Sequence, residues 1–389
     1  MGWRSFRGLL QTLHLWVGLA LSIPFILIGV SGSLILLIAV VNAHAPPAAP
    51  ARGEMKPLAT ILAAAQAATP EGYSVQSAIL PGRLGRPAAV QIGVNPGGRP
   101  PEGPNLAGTT IYVDPVSLKI LGSEPRRRAG FMNRNLHTLH VALMAPGYFG
   151  LQFVGFMGVF MLLFGITGLV LWWPKRGQWR FAFSVKRGTR GWRLNHDLHS
   201  VFGFWTLIVF MIVSLSGVYL AFPVTFQSMV EAVAPTGTGS FQGKIDDATL
   251  ATIADRNAVT PDEAIRLALS AVPDSRAVAV QLPPSPDGIY MVTLTPAPYG
   301  DGAPQISAFI GPGTEVTDIV DPRAYDIGKR FLVWLRVMHY GQGFGGIWNL
   351  LVFLSGLLPL LFAITGYRMW SIKRAQRRTL PQAVVVPAE

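Results

Sequence analysis

Apolar and polar residues are segregated along this chain in long blocks. Four blocks, at roughly residues 13–41, 149–173, 201–222 and 347–370, are long and apolar enough to cross a bilayer as helices. Between them lie two polar inserts of small-domain size, about 43–136 and 223–330. The apolar blocks also repeat. LHLWVGLALSIPFILIGVSG, residues 13–32, is matched by LHSVFGFWTLIVFMIVSLSG, residues 198–217. Both place a His at the entrance (His14, His199), a Gly four residues later (Gly18, Gly203), and Ser-Gly at the far end (Ser31-Gly32, Ser216-Gly217). Ile166-Thr167-Gly168, Trp172 and Lys175-Arg176 recur at the same spacing as Ile364-Thr365-Gly366, Trp370 and Lys373-Arg374, with His140 and His339 upstream in register to within one residue. The pattern predicts an α-helical membrane protein: a four-span bundle built from a tandem two-fold repeat, carrying two small α+β domains between its spans.

The inserts follow a common plan. After an Ala/Pro-rich linker at 46–60, Leu58–Ala68 reads as a helix, followed by strands at Tyr73–Leu80, Ala88–Val94, Thr110–Val113 and Leu118–Leu121, with the Gly/Pro tract at 95–108 as a loop. In the second insert Thr260-Pro261-Asp262-Glu263 is a helix start: Thr260 caps, Pro261 suits the first turn and Glu263 completes a capping box. That helix runs to about Ala271, with strands at Ala277–Leu282, Tyr290–Thr295 and Gln305–Ile310. The first insert makes a small α+β domain too short to hold a large core on its own. The first is net basic and the second net acidic, which suits a face-to-face contact. Phe131–Met144 and Lys329–Tyr340 read as short interfacial helices at the outer membrane surface.

Composition agrees with the blocks: 389 residues, 50% hydrophobic and only 13% charged, with a mean hydropathy of +0.39, which is too apolar for an ordinary soluble protein. A net charge of +12 raises nucleic acid as a partner, but the location of the charge argues against it. Arg4 and Arg7 precede the first span, seven Lys and Arg between Lys175 and Arg193 fill the loop between the second and third, and Lys373, Arg374, Arg377 and Arg378 follow the last. This is the positive-inside pattern, with both termini and the middle loop cytoplasmic and the inserts outside. The N-terminal run resembles a signal peptide ending at Ala43-His44-Ala45, but it is too long for one and its duplicate is internal, so it reads as a retained helix. There is no Cys, which excludes disulfides, iron–sulfur clusters and thiolate metal sites.

On this topology His14, His196 and His199 belong to the cytoplasmic end, and His137, His140 and His339 to the outer end, with His44 loose at the close of the first span. A lone His near a headgroup region is ordinarily a solvated imidazole, and ionisable groups at membrane helix ends are uncommon unless they face a bundle interior. Here the repeat presents the same residue twice at each level. Two halves related by an axis along the membrane normal bring such residues face to face. His14 would then meet His199, and His140 would meet His339, as axial pairs able to grip haem iron from both sides. His196 and His137 stand three residues earlier, one turn along the same face, and are alternative ligands or propionate contacts. Gly18 and Gly203 give room for a porphyrin, or serve simple helix packing. Arg7 and Arg193 at the inner level, and Arg134 or Arg336 at the outer, are candidate propionate partners. Met338 is a weaker candidate ligand, and Trp16, Trp172, Trp173, Trp348 and Trp370 read as interfacial belt anchors. The irons would lie roughly 25–30 Å apart at 1.5 Å per residue.

These marks, chiefly the twin Ile-Thr-Gly-x-x-x-Trp-x-x-Lys-Arg spans and the strand-turn Ile111–Leu121, resemble the PepSY-associated transmembrane family over nearly the whole chain. The second insert departs from a PepSY pattern where Gly-Pro-Gly interrupts Ile310–Thr317. The resemblance implies a first span with cytoplasmic N-terminus at 1–45, a PepSY-like extracytoplasmic domain at 46–130, and an interfacial helix with second span at 131–173. A basic cytoplasmic loop at 174–195, a third span at 196–222 and a second PepSY-like domain at 223–327 follow. An interfacial helix with fourth span at 328–370 and a cytoplasmic tail at 371–389 complete the chain. It further implies a bacterial inner-membrane reductase with two haem b groups, lying in lipid and passing electrons from a quinol or a cytoplasmic reductant to a periplasmic ferric siderophore, with release of Fe(II). No paired-carboxylate, Ser-His or HExxH arrangement offers group-transfer chemistry instead. Two other functions compete: a membrane-tethered PepSY module that binds or inhibits a periplasmic protease, and a permease for an iron chelate.

Overall fold

The computed structural model describes residues 3–41, 46–50, 52–82, 85–99, 105–125, 131–145, 147–236, 259–285, 288–297, 304–312 and 316–379. His44 and the Ala43-His44-Ala45 triplet lie outside them. The chain divides into two compact units, one formed by Met1–Val41, Phe131–Met229 and Leu335–Glu389, the other by Asn42–Gly130 and Val230–Trp334.

The first unit is helical. Its elements are α1 (Trp3–Ala20), α2 (Ser22–Val41), α4 (Phe131–Ala142), α5 (Gly147–Trp172), the short α6 (Trp179–Ala182), α7 (Gly191–Trp205), α8 (Leu207–Ala221), α9 (Pro223–Glu231) and α12 (Gly345–Thr379). Three of these helices are long and apolar enough to cross a membrane: Ser22–Val41, Gly147–Trp172 and Gly345–Arg378. The pair α7 and α8, bent by 67° at Thr206, makes a fourth if the two count as one span. The run expected to cross at 13–41 is therefore two helices. Pro24 explains the break, because its ring cannot tolerate the carbonyl four residues back, at Ala20, in a straight helix.

Small residues let the long helices touch at their backbones. A Cβ added to Gly29 of α2 would collide with the Gly356 carbonyl of α12, and one on Gly356 would collide with the Ser33 hydroxyl. Ser33 itself donates to Phe353 O across the same crossing at 2.7 Å. The crossing of α5 on α8 is built on the equivalent glycine, since a Cβ on Gly158 would come within 2.9 Å of Val218 and 3.5 Å of Ser214 O.

Among the described residues, the strands of the second unit form one eight-stranded sheet in the order β4-β3-β2-β1-β5-β6-β7-β8. The strands are β1 (Tyr73–Ile79), β2 (Ala88–Val94), β3 (Thr110–Val113), β4 (Ile120–Glu124), β5 (Ser275–Gln281), β6 (Tyr290–Pro296), β7 (Ile306–Ile310) and β8 (Val316–Val320). All neighbours are antiparallel, and β1 pairs with β5 through Ser77–Ile79 and Ala279–Gln281. The inserts thus join edge to edge, not face to face. Pairing two edges satisfies backbone groups that either meander alone would leave open. It also lets the inserts pool one core, from Ile61, Val90 and Val113 to Val280, Leu294 and Ile310.

Each meander is preceded by a helix that packs into this core, α3 (Leu58–Ala67) and α10 (Pro261–Ala271). Thr260 caps α10 by accepting from Glu263 N at 3.3 Å. Asp262, in the first turn of α10, reaches the other helix and accepts from Leu58 N at 2.6 Å and Ala59 N at 2.8 Å, so it caps α3. Beyond the Gly-Pro-Gly interruption the chain returns as β8, a strand that its weak apolar character conceals in the sequence. The helix α11 (Ile327–His339) then leads back towards the first unit.

Candidate functional site

The helical unit brings four imidazoles into two couples. His14 on α1 and His199 on α7 have ring centroids 6.3 Å apart with planes at 70°. His140 on α4 and His339 on α11 have centroids 6.1 Å apart at 43°.

The first couple is held by the Thr-Gly pairs of the repeated spans. His14 Nδ1 lies 2.9 Å from Thr167 Oγ1, and His199 Nδ1 lies 2.8 Å from Thr365 Oγ1. Each hydroxyl donates along its own helix, Thr167 to Phe164 O at 3.3 Å and Thr365 to Leu361 O at 2.8 Å. With that proton committed, the hydroxyl oxygen can only accept, so Nδ1 carries the imidazole proton and Nε2 keeps its lone pair. The adjacent glycines border the rings without being required by them: a Cβ on Gly168 or Gly366 would lie an ordinary 3.8 Å from His14 Cε1 or 4.0 Å from His199 Cε1. Phe164 and Phe362 flank the imidazoles at centroid distances of 4.8 and 4.9 Å.

The second couple is held by the Ser-Gly ends of the other repeated stretch. His140 Nδ1 lies 2.8 Å from Ile28 O, and His339 Nδ1 lies 3.2 Å from Val213 O and 2.9 Å from Ser216 Oγ. Ile28 and Val213 stand at equivalent places, three residues before Ser31 and Ser216. A carbonyl accepts only, so these rings too carry the proton on Nδ1. Ring and helix approach more closely here: a Cβ on Gly32 would fall 2.8 Å from His140 Cε1, and one on Gly217 3.5 Å from His339 Cε1. Among the described residues no hydrogen bond reaches Nε2 of any of the four.

A cavity of about 880 Å³ opens around the first couple, within the size range of small-molecule and cofactor sites. Gly18 and Gly203 line it, as do Phe164 and Phe362, together with five cations (Arg7, Lys175, Lys186, Arg193 and Lys373) and the carboxylate of Asp197. Two of the cations are engaged: Arg193 with Asp197 at 2.8 Å, and Arg7 with Leu171 O at 2.6 Å. Trp192 also lines the cavity, stacked on His196 with Lys373 Nζ 4.9 Å from its ring centre, and its indole N–H is buried with no partner. A buried donor of that kind wants an acceptor from a bound molecule.

A haem can be tested against this frame. Two imidazoles binding one metal atom from opposite sides, each through Nε2 at about 2.1 Å, would hold their ring centroids roughly 6–6.5 Å apart. Both couples have that spacing. Each offers two nitrogens, and among the described residues no group of three or more His, Cys, Asp and Glu could hold a metal ion. The metal that suits such a couple brings its other ligands with it, as haem iron does. The cations and the orphaned indole N–H around the first couple suit the carboxylates that a porphyrin carries.

The remaining candidate residues are placed less centrally. His196 lines the cavity half exposed, its Nδ1 3.5 Å from Asp197 Oδ1, and it is His199 that faces His14. His137 is exposed, and His140 is the one opposite His339. Arg134 and Arg336 are both exposed. Gly18 also serves packing, since a Cβ there would come within 3.3 Å of Phe164. Met338 gives its backbone carbonyl to Trp348 Nε1 at 3.0 Å. Sequence reasoning missed Lys175, Lys186, Lys373 and Trp192 as cavity residues. It also gave no role to Thr167, Thr365 and Ser216, although their recurrence beside glycine was the available signal.

A helical protein with three to four candidate spans, a separate antiparallel sheet and paired imidazoles among its helices defines the class: a membrane protein with an internal site of two histidine couples. The chain belongs to the family described as the PepSY-associated TM region, which it matches over residues 11–373. No curated protein sequence matches it significantly.

Proposed function

We propose that each His couple holds one haem b and that the protein is an inner-membrane reductase, carrying electrons from the cytoplasmic side to a ferric siderophore in the periplasm, where Fe(II) is released. One observation carries this reading. In both couples, His residues from equivalent stretches have ring centroids 6.3 and 6.1 Å apart, the spacing an imidazole–metal–imidazole unit needs, with every Nδ1 already hydrogen-bonded. Bound haem would supply one-electron exchange between Fe(III) and Fe(II).

The chain's own residues do the rest. Thr167 and Thr365 fix the tautomer and tilt of the first couple, and Ile28 O and Val213 O fix those of the second. Outer partners of this sort raise ligand basicity and orient the ring. Phe164 and Phe362 cover the rings against water, while the lysines of the cavity balance anionic groups. The recurrence of the same anchors at the same spacing supports a tandem two-fold repeat. The basic stretch Lys175–Arg193 favours a cytoplasmic position for the first couple and for both termini. The second couple, about eighteen residues further along the first repeated stretch (His14 to Gly32), then falls towards the periplasm.

The experiment is a visible spectrum of the detergent-purified full chain. A Soret band, with split low-spin bands after dithionite and a stoichiometry near two haems per chain, is expected. A colourless chain after expression with ample haem supply would overturn the reading.

A further inference from the structure

The two aromatic residues at the ends of the repeated spans, Trp172 and Trp370, live in different surroundings. Trp172 is stacked on Phe204 at 4.1 Å and 20°, is met edge-on by Trp179 at 5.9 Å, and donates its indole N–H to Ala182 O at 3.3 Å. That flank of the cavity is filled. At the place equivalent to Phe204 the other stretch carries Leu19, which leaves the flank beside Trp370 unfilled. An open groove of about 480 Å³ lies there between α1 and α12, walled by Trp16, Tyr367 and Trp370. Trp16 meets Trp370 at 6.2 Å, and Tyr367 lies 5.7 Å from Trp370.

The groove shares Leu19, Ser22, Ala363 and Trp370 with the cavity around His14 and His199, so the two spaces lie on either side of the same side chains. Its walls face outward, with Trp16 55% and Tyr367 56% exposed. The α12 wall belongs to a helix long and apolar enough to cross a membrane, and its exposed Ile364 and Tyr367 lie on a face that meets lipid. Among the described residues, neither the Tyr367 hydroxyl nor the Trp370 indole N–H has a hydrogen-bond partner, and Ser22 Oγ, which donates to Leu19 O at 2.8 Å, keeps lone pairs to accept with.

We propose that this groove is the binding site of a lipid-phase quinone or quinol, which enters from the bilayer between α1 and α12 and lies against Trp16, Tyr367 and Trp370. The occupant must be soluble in lipid, flat enough for a slot between aromatic rings, and able to accept hydrogen bonds from a phenol and an indole. A quinone headgroup meets all three demands, and an acyl chain meets only the first. Beside Trp172 the equivalent flank is occupied by Phe204 and Trp179. The site's use by the electron donor rests on the electron-transfer reading above, whereas the binding itself does not.

The test is photolabelling of the full chain in nanodiscs with an azido-ubiquinone, with peptides mapped by mass spectrometry. Label is expected on the peptides carrying Trp16 and Tyr367–Trp370, displaced by decylubiquinone. Tyr367→Phe, which removes one hydroxyl, should weaken that displacement about three- to tenfold. Leu19→Phe, which puts on this side the ring that Phe204 supplies on the other, should lower the specific label at least about tenfold. Label that decylubiquinone does not displace, or that ignores both substitutions, makes the groove an acyl-chain contact and overturns the site. A haem-loaded chain without displaced label removes the site and leaves the electron-transfer reading standing. A haem-free chain that labels as expected does the reverse.

Discussion

His199 gives its Nδ1–H to Thr365, at 2.8 Å, and Thr365 has already spent its own hydroxyl proton on Leu361 O at 2.8 Å. This relay fixes which nitrogen of His199 keeps a lone pair. Thr365→Val keeps the shape and removes the acceptor, as does Thr167→Val for His14. Loss of such an outer partner typically costs 10–100-fold in affinity for a bound metal group. Haem titration of the purified variants should show the first couple weakened by about that range, with Thr→Ser at either position close to the parent.

The glycines beside the second couple make an asymmetric pair. A Cβ on Gly32 would press His140 at 2.8 Å, whereas one on Gly217 would meet His339 at an ordinary 3.5 Å. Gly32→Ala should therefore displace His140 and lower the haem stoichiometry by about one per chain, while Gly217→Ala keeps both. Pyridine haemochrome counting on the two variants decides between them.

Helix packing offers a test independent of any cofactor. Gly29 and Gly356 touch backbone to backbone, and a methyl on Gly29 has no room beside the Gly356 carbonyl. Gly29→Ala should cost about 1–3 kcal/mol, the usual range for overpacking. A lowered thermal midpoint in detergent, with Gly8→Ala as the control in open space, would register it.

In the sheet unit, Asp262 closes the start of a helix it does not belong to, through Leu58 N and Ala59 N. Asp262→Ala strips two backbone donors of a charged acceptor, at a cost of about 1.5–3 kcal/mol. Hydrogen–deuterium exchange should show faster exchange confined to the first turn of Leu58–Ala67, with Pro261–Ala271 protected as before.

Much of the fold was legible because it rests on local chemistry. The N-cap at Thr260 (the Glu263 carboxylate turns to Arg266 rather than closing the box), the apolar runs at Ser22–Val41 and Gly147–Trp172, and the strands from Tyr73 to Val113 all announce themselves by composition and period. The break between Ala20 and Ser22 was signalled by Pro24 but masked by the evenness of the apolar run. The edge pairing of β1 with β5 was not legible, because Ser77 and Gln281 carry nothing that names each other across two hundred residues. In the candidate site, the repeat singled out His14, His199, His140 and His339, which the fold brings together in couples. The anchors were harder. Ile28 and Val213 act through backbone carbonyls, which no side chain reveals. Lys373 and Trp192 look in sequence like members of a solvated basic fringe, yet both line the cavity.

Haem counting on the parent and on four single variants, His14→Ala, His199→Ala, His140→Ala and His339→Ala, bears most directly on the paired-imidazole account. It predicts two haems in the parent and one in each variant, with His14→Ala and His199→Ala losing the same spectral component and the other two variants losing the other. Four variants that each retain both haems would contradict it.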